Sequence, residues 1–183
     1  MILYHAGFEK IEFPDVHYGR KNADFGQGFY LSENKEFIYR WAKSRKDKNT
    51  IINTYELDTN DLNIKCFNRN EEWFNYIFNN RNNKPDTINT DIIIGPIAND
   101  TIYDTFGIIT SGLLKQEDAM KLLMIGPEYY QIAIKSEKGI NNLKWLSYEI
   151  LSSDQVDEYR KMVVKEEKEY QEIFMEELIK IQK

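Results

Sequence analysis

The sequence predicts an α+β fold, and three observations carry that prediction. Short apolar or alternating segments mark strands at 2–4, 28–31, 51–57, 91–95, 129–135 and 143–150. Helical segments fall among them in a mixed order, without the regular β-α alternation of a parallel sheet. From Ser153 the chain turns into a Glu- and Lys-dense segment with no glycine or proline, the pattern of one long amphipathic helix.

The elements follow in order. Ile2 to Tyr4 opens the chain as a strand. Residues 6–27 read as a loop broken by Pro14 and Gly19. Gly28 to Leu31 is a second strand. Ser32 then stands as helix N-cap, with Lys35 and Glu36 in the first turn and Phe37, Ile38 and Trp41 on the apolar face. Ile51 to Leu57 alternates, with Ile51, Asn53, Tyr55 and Leu57 on one side. Glu71 to Phe78 is a helix with a strongly aromatic face, followed by a polar loop from Asn79 to Pro85. Ile92-Ile93-Ile94 is a buried strand. Gln116 to Met124 is a helix that uses Ala119, Leu122 and Leu123. Tyr129 to Lys135 alternates, with Tyr130, Ile132 and Ile134 opposite Gln131 and Ala133. Leu143 to Ile150 is a last strand. The final helix carries Val156, Tyr159, Val163, Tyr170, Phe174, Leu178 and Ile181 at helical spacing. That stripe needs cover, from the domain itself or from another chain.

Bulk properties set the frame. A chain of 183 residues fits one domain, read as a core over 1–152 with a helical extension of it over 153–183. With 42% hydrophobic and 14% aromatic residues it is globular rather than disordered. A net charge of −6 argues against a strongly nucleic-acid-seeking surface, although a local basic patch remains compatible with it. Cys66 is the one cysteine, so an intrachain disulfide is excluded and a buried structural thiol in a reducing compartment is expected. No apolar run reaches membrane-spanning length, and the N-terminus lacks the basic and long apolar regions of a signal peptide. The expectation is a cytoplasmic protein without a membrane partner. Two histidines and one cysteine do not make an ordinary structural zinc site. The stretch from Asp58 to Asn63 lacks the turn glycine of a calcium loop and reads as a solvated turn. No metal is expected.

Two segments carry chemistry. Leu3-Tyr4-His5-Ala6-Gly7 and Asp24-Phe25-Gly26-Gln27-Gly28-Phe29-Tyr30-Leu31-Ser32 each place a polar ring beside glycine, where backbone can approach a ligand closely. His5 and Tyr30 on two strands flanking one cleft would hold a ribose hydroxyl and a flat aromatic base. The same spacing also fits a core histidine and a core tyrosine beside two turns. Arg20 and Lys21 lie in the loop before the second strand, where a guanidinium suits a diphosphate and solvation is the plainer role. Asp24 braces the following turn or touches a ligand. Asn99-Asp100 stands at the rim of the cleft or caps a helix.

In order and local wording these segments resemble the NAD-binding core of the diphtheria-toxin-like ADP-ribosyltransferases, the His-Tyr-Glu class that includes the poly(ADP-ribose) polymerases. The run from Gly19 to Leu31, the segment from Asp91 to Asp100 and Gln131-Ile132-Ala133-Ile134-Lys135-Ser136 are closer still to an uncharacterised bacterial family of that clan. The resemblance spans about residues 2–147. It implies a split two-sheet core and NAD as co-substrate. It implies that His5 bonds a ribose hydroxyl, that backbone at Ala6 and Gly7 clamps the carboxamide, and that Tyr30 stacks on the nicotinamide. Gly28 and Arg20 join the NAD-binding set, and Trp41 or Tyr39 closes the other face of the ring. Two departures stand out. Ala6-Gly7 replaces glycine and a small hydroxyl residue after the histidine. Gln131 stands where the class has glutamate, so the third catalytic position, after His5 and Tyr30, is neutral. Glu128, Glu137 and Asp100 are possible substitutes for the missing charge.

The resemblance implies a mono-ADP-ribosyltransferase acting on an unknown macromolecule, of the kind that serves bacteria as a toxin or effector. A cognate antitoxin or a second copy would bind through the C-terminal helix. The alternatives are an NAD- or ADP-ribose-binding module without catalysis, and an interaction protein acting through that helix.

Overall fold

The computed structural model describes residues 1–43, 45, 48–98 and 116–181. Asn99 and Asp100 lie outside them. Within the described residues the fold is α+β, with two sheets and a long C-terminal helix. Strands β1 (Ile2–Gly7), β3 (Thr50–Leu57) and β7 (Leu143–Leu151) form an antiparallel sheet in the order β1-β3-β7. Strands β2 (Phe29–Leu31), β6 (Tyr130–Ile134), β5 (Ile92–Pro96) and β4 (Ile64–Cys66) form the second, in the order β2-β6-β5-β4, with only β4 and β5 parallel. The helices are α1 (Lys35–Trp41), α2 (Glu71–Arg81), α3 (Gln116–Leu123), α4 (Glu137–Asn141) and α5 (Ser153–Ile181). Val16–Tyr18 is a 3₁₀ turn. No helix among the described residues is long and apolar enough to cross a membrane.

The sheets meet where Tyr4 and Ser32 exchange backbone hydrogen bonds of 2.9 and 3.1 Å. Their facing sides enclose a core of Leu3, Phe29, Leu31, Tyr55, Leu57, Ile92, Ile132 and Ile134. The other side of the four-stranded sheet packs on α2 through Phe25, Phe67, Trp73, Ile77, Ile93 and Ala133. The other side of the three-stranded sheet is covered by α1 and α5 through Ile38, Ile52, Leu151 and Val156. Both sheets are therefore middle layers. This explains why β6 needs apolar residues on both faces, with Ile132 and Ile134 toward one core and Ala133 toward the other.

Several expectations require correction. The first strand runs on to Gly7, pairing with β3 along its whole length. In β3 the side containing Ile51 is not the only buried one. Ile52 is fully buried under α1 and α5 because both faces of the sheet are covered. Asn34, not Ser32, caps α1 by accepting from Phe37 N–H at 3.0 Å. Ser32 instead donates to the Tyr130 carbonyl at 2.9 Å, tying β2 to β6. Helix α2 continues through Asn79 to Arg81, segments expected as loop. Cys66 is exposed, because its short edge strand turns it outward. The C-terminal stripe is covered by the domain itself. Tyr170 and Phe174 pack with Phe37, Ile97 and Leu122, and Val163, Leu178 and Ile181 flank them.

Candidate functional site

Beyond the Tyr4–Ser32 bridge, β1 and β2 diverge, and the gap between them opens into a cavity of about 710 Å³. Loop 20–24 and α2 bound it on one side, and α1, the residues after it and α5 on the other. His5, Ala6, Arg20, Tyr30, Trp41 and Gln131 all line it, so six of the eight site residues expected from sequence converge on one cavity. Asp24, Arg40, Lys43, Arg81 and Val163 line it as well.

His5 is held by its Nδ1, 2.8 Å from the carbonyl oxygen of Tyr30. A carbonyl only accepts, so Nδ1 carries the proton and Nε2 of the neutral ring is left as an acceptor. The ring stacks on Phe29 with centroids 4.5 Å apart. Burial lowers the His5 pKa, partly offset by the bond to Tyr30, which keeps the imidazole neutral. Ala6 is the next exposed backbone unit. In an antiparallel pair, alternate residues direct N–H and C=O to the same side of the strand. Tyr4 gives its groups to Ser32, so those of Ala6 also point away from β3, toward the gap.

Tyr30 is fixed by its hydroxyl. It donates to the Gly26 carbonyl at 2.6 Å and accepts from Phe25 N–H at 3.0 Å. The turn it closes needs the positive φ of Gly26, +72°. Burial, reinforced by the charge of Asp24, raises the Tyr30 pKa well above the usual range, so the hydroxyl stays protonated and the ring stays in place.

The floor of the cavity is a buried polar cluster. The Asp24 carboxylate is 7% exposed, and Arg81 of α2 donates to its Oδ1 from both Nε, at 2.9 Å, and an Nη. Its Oδ2 accepts from Gln131 Nε2 at 2.9 Å and from Ala98 N–H at 3.3 Å. These partners lie on other elements, and the turn at Gly26 is closed by Tyr30 rather than by the Asp24 side chain. On the opposite wall, Arg40 Nη1 donates to Tyr129 Oη at 2.6 Å and to Glu166 of α5 at 2.5 Å. Trp41 packs on Phe37, and its buried Nε1 has no partner among the described residues.

Other expected residues fall elsewhere. Tyr39 donates to Glu149 at 2.7 Å and stacks on Tyr159, outside the cavity. Lys21 lines a separate hollow with Lys84 and Lys135. Gly7 and Gly28 do not line the cavity; a Cβ at Gly28 would stand 2.6 Å from the Ile134 carbonyl oxygen, so Gly28 is required for strand pairing. Glu128 accepts from Tyr130 Oη at 2.9 Å and Glu137 begins α4, neither of them at the cavity. Asp100 lies outside the described residues. Sequence reasoning missed Arg40, Lys43 and Arg81. Arg40 could have been found, since it precedes Trp41 on the same expected helix. Arg81 could not, because it reaches Asp24 across 57 positions.

The profile of a family described as "Protein of unknown function (DUF3990)" matches residues 1–145. The chain belongs to that family. The DUF3990 match takes in every element from β1 to the start of β7, and with them every cavity residue except Val163 on α5. No curated protein and no solved structure matches the chain.

Proposed function

We propose that this protein is a mono-ADP-ribosyltransferase that binds NAD in the cavity between β1 and β2. The observation that carries the reading is the charge of that cavity. A chain of net charge −6 lines it with four cationic side chains, of which Arg81 is paired with Asp24 and Arg40 with Glu166, while Arg20 and Lys43 have no carboxylate partner among the described residues. The cations stand beside a neutral histidine, a fixed tyrosine and a tryptophan. A diphosphate joined to a ribose and a flat ring matches that combination.

In this reading His5 Nε2 accepts from a ribose hydroxyl. The free N–H and C=O of Ala6 pair with the nicotinamide carboxamide. Tyr30 and Trp41 face the two sides of the ring, and Arg20 meets the diphosphate. Gln131 faces the ribose carbon that reacts. The bond from that carbon to the nicotinamide nitrogen breaks, and its electron pair leaves with a now neutral nicotinamide. A lone pair of the acceptor forms the new bond on the opposite face, and the acceptor's proton passes to solvent. Holding both partners in line supplies most of the barrier reduction available without a strong acid or base.

The acceptor is proposed to be a macromolecule, and the protein a bacterial toxin or effector of the cytoplasm. The neutrality of Gln131 favours one second reading, a module that binds NAD or ADP-ribose without cleaving it. Incubation with NAD followed by mass spectrometry for free nicotinamide decides between them. Labelled NAD with a cell lysate then reveals the acceptor. Failure to bind either NAD or ADP-ribose by calorimetry refutes both.

A further inference from the structure

We propose that Asp24 is a positioning residue that makes Gln131 act as a negatively charged group. The inference rests on the ADP-ribosyl transfer reading. Cleavage of the nicotinamide bond leaves positive charge on the ribose, and a site that accelerates it must hold negative potential there before the reaction begins. Among the described residues lining the cavity the only carboxylate is Asp24, and it is bonded to Gln131.

Three features of the contact support the role. First, a carboxylate only accepts, so the 2.9 Å bond from Gln131 Nε2 fixes the orientation of the amide, with Oε1 turned away from Asp24. Gln131 is 4% exposed and lines the cavity, and its Oε1 has no partner among the described residues, which leaves the oxygen to the cavity. Second, the charge reaches the site through the amide. A carboxylate bonded to the NH₂ end polarises the group and makes its oxygen a stronger acceptor. Third, the arrangement Arg81–Asp24–Gln131 is an oriented dipole. Arg81 holds Oδ1, and the other carboxylate oxygen, Oδ2, is the one bonded to Gln131. The Asp24 and Gln131 side chains are buried, so the field between them is less screened than at the surface.

The test uses the full chain and the rate of nicotinamide release from NAD. Four proteins are compared: wild type, Asp24→Asn, Gln131→Glu and the double variant. Asp24→Asn is expected to lose about tenfold or more in kcat, with the affinity for NAD by calorimetry changed much less. Gln131→Glu places two carboxylates at hydrogen-bond distance, where they share a proton. Its rate is expected to rise with pH across about pH 5 to 9 as that proton is released. The double variant moves the single charge one residue closer and is expected to recover most of the loss. Circular dichroism melting establishes that each variant is folded. If Asp24→Asn does not fold, the pH profile of Gln131→Glu carries the test alone. Wild-type turnover with an unimpaired Asp24→Asn, a double variant no faster than Asp24→Asn, or a flat pH profile for Gln131→Glu overturns this proposal and leaves the transfer reading intact. A wild type that binds NAD but releases no nicotinamide overturns both.

Discussion

His5 Nδ1 donates to the Tyr30 carbonyl oxygen across 2.8 Å, one step past the point where Tyr4 and Ser32 join the two sheets. The bond makes the histidine's tautomer depend on the backbone of the strand that carries the tyrosine. The positions of the two rings are therefore coupled through the scaffold.

Replacing His5 by Ala is expected to weaken NAD binding by about 1–3 kcal/mol, the scale of a lost buried hydrogen bond. Tyr30→Ala should cost a similar amount through the lost stack. Tyr30→Phe separates ring from hydroxyl. It keeps the stacking face and loses the bonds to Gly26 and Phe25. It should lower folding stability by about 1–2 kcal/mol while binding of NAD to the folded protein changes little. Equal affinity for NAD in wild type, His5→Ala and Tyr30→Ala, by calorimetry, refutes the placement.

The pH dependence follows from the lowered pKa of His5, which burial causes. The unfolded chain takes up a proton at this ring near pH 6.5, and the folded chain only at lower pH. The unfolded state thus binds more protons below about pH 6.5, so stability falls as pH drops through that value and levels off below the folded pKa. Urea unfolding of wild type and His5→Asn at a series of pH values should show a shallower dependence in the variant. NAD affinity of the wild type should hold through about pH 6.5 and fall only lower, when Nε2 is protonated.

Gly28→Ala tests the strand pairing rather than the ligand. The added Cβ would meet the Ile134 carbonyl oxygen at 2.6 Å, and that oxygen belongs to backbone that cannot rotate away. A loss of about 1–3 kcal/mol is expected, the usual scale for overpacking. If thermal melting shows no loss, β2 and β6 are less closely paired than their geometry indicates.

The sequence shows β6 clearly because its two faces carry different chemistry. Ile132 and Ile134 enter one core, while Gln131 and Ala133 face the side of Tyr30. It shows the long helix for the same reason, since Val156, Tyr170 and Phe174 repeat at its period. In β3, alternation fails to identify Ile52 because a sheet covered on both sides has no solvent face to alternate with. Strand β4 is three residues long, too short to leave a period. The role of Asp24 was illegible because its partners, Arg81 and Gln131, lie 57 and 107 positions away. Local spacing finds rings beside glycines. It does not find a carboxylate whose partners stand on two later elements.

Helix α5 is part of the domain, so its loss should destabilise the domain rather than release it. Phe174 and Tyr170 are 5% exposed, and Val163 reaches the cavity wall. Phe174→Ala should cost about 3–5 kcal/mol. Truncation after Ser152 should lower the melting temperature and open the cavity beside Arg40, which loses Glu166. A truncated chain that melts like wild type, without any change of oligomeric state by light scattering, refutes this.

Arg20 and Arg40 separate binding from folding. Both line the cavity, but their environments differ. Arg40 is held by Tyr129 and Glu166, so Arg40→Ala removes structural bonds together with a charge. Arg20 is exposed on its loop with no hydrogen bond or ion pair among the described residues, so its charge is available to a ligand at little structural cost. Arg20→Ala should leave thermal stability within about 0.5 kcal/mol, as for an ordinary surface change. It should weaken NAD and ADP-ribose by about 1.5–3 kcal/mol, the scale of a hydrogen bond to a charged group. Nicotinamide has no phosphate, and its binding should not change. Arg20→Lys should recover part of the loss, since an ammonium keeps the charge but not the two-pronged contact with phosphate. Added salt should weaken NAD binding more in wild type than in Arg20→Ala. If Arg20→Ala weakens nicotinamide as much as NAD, the arginine acts on the ring end of the cavity and the ligand lies in the opposite direction.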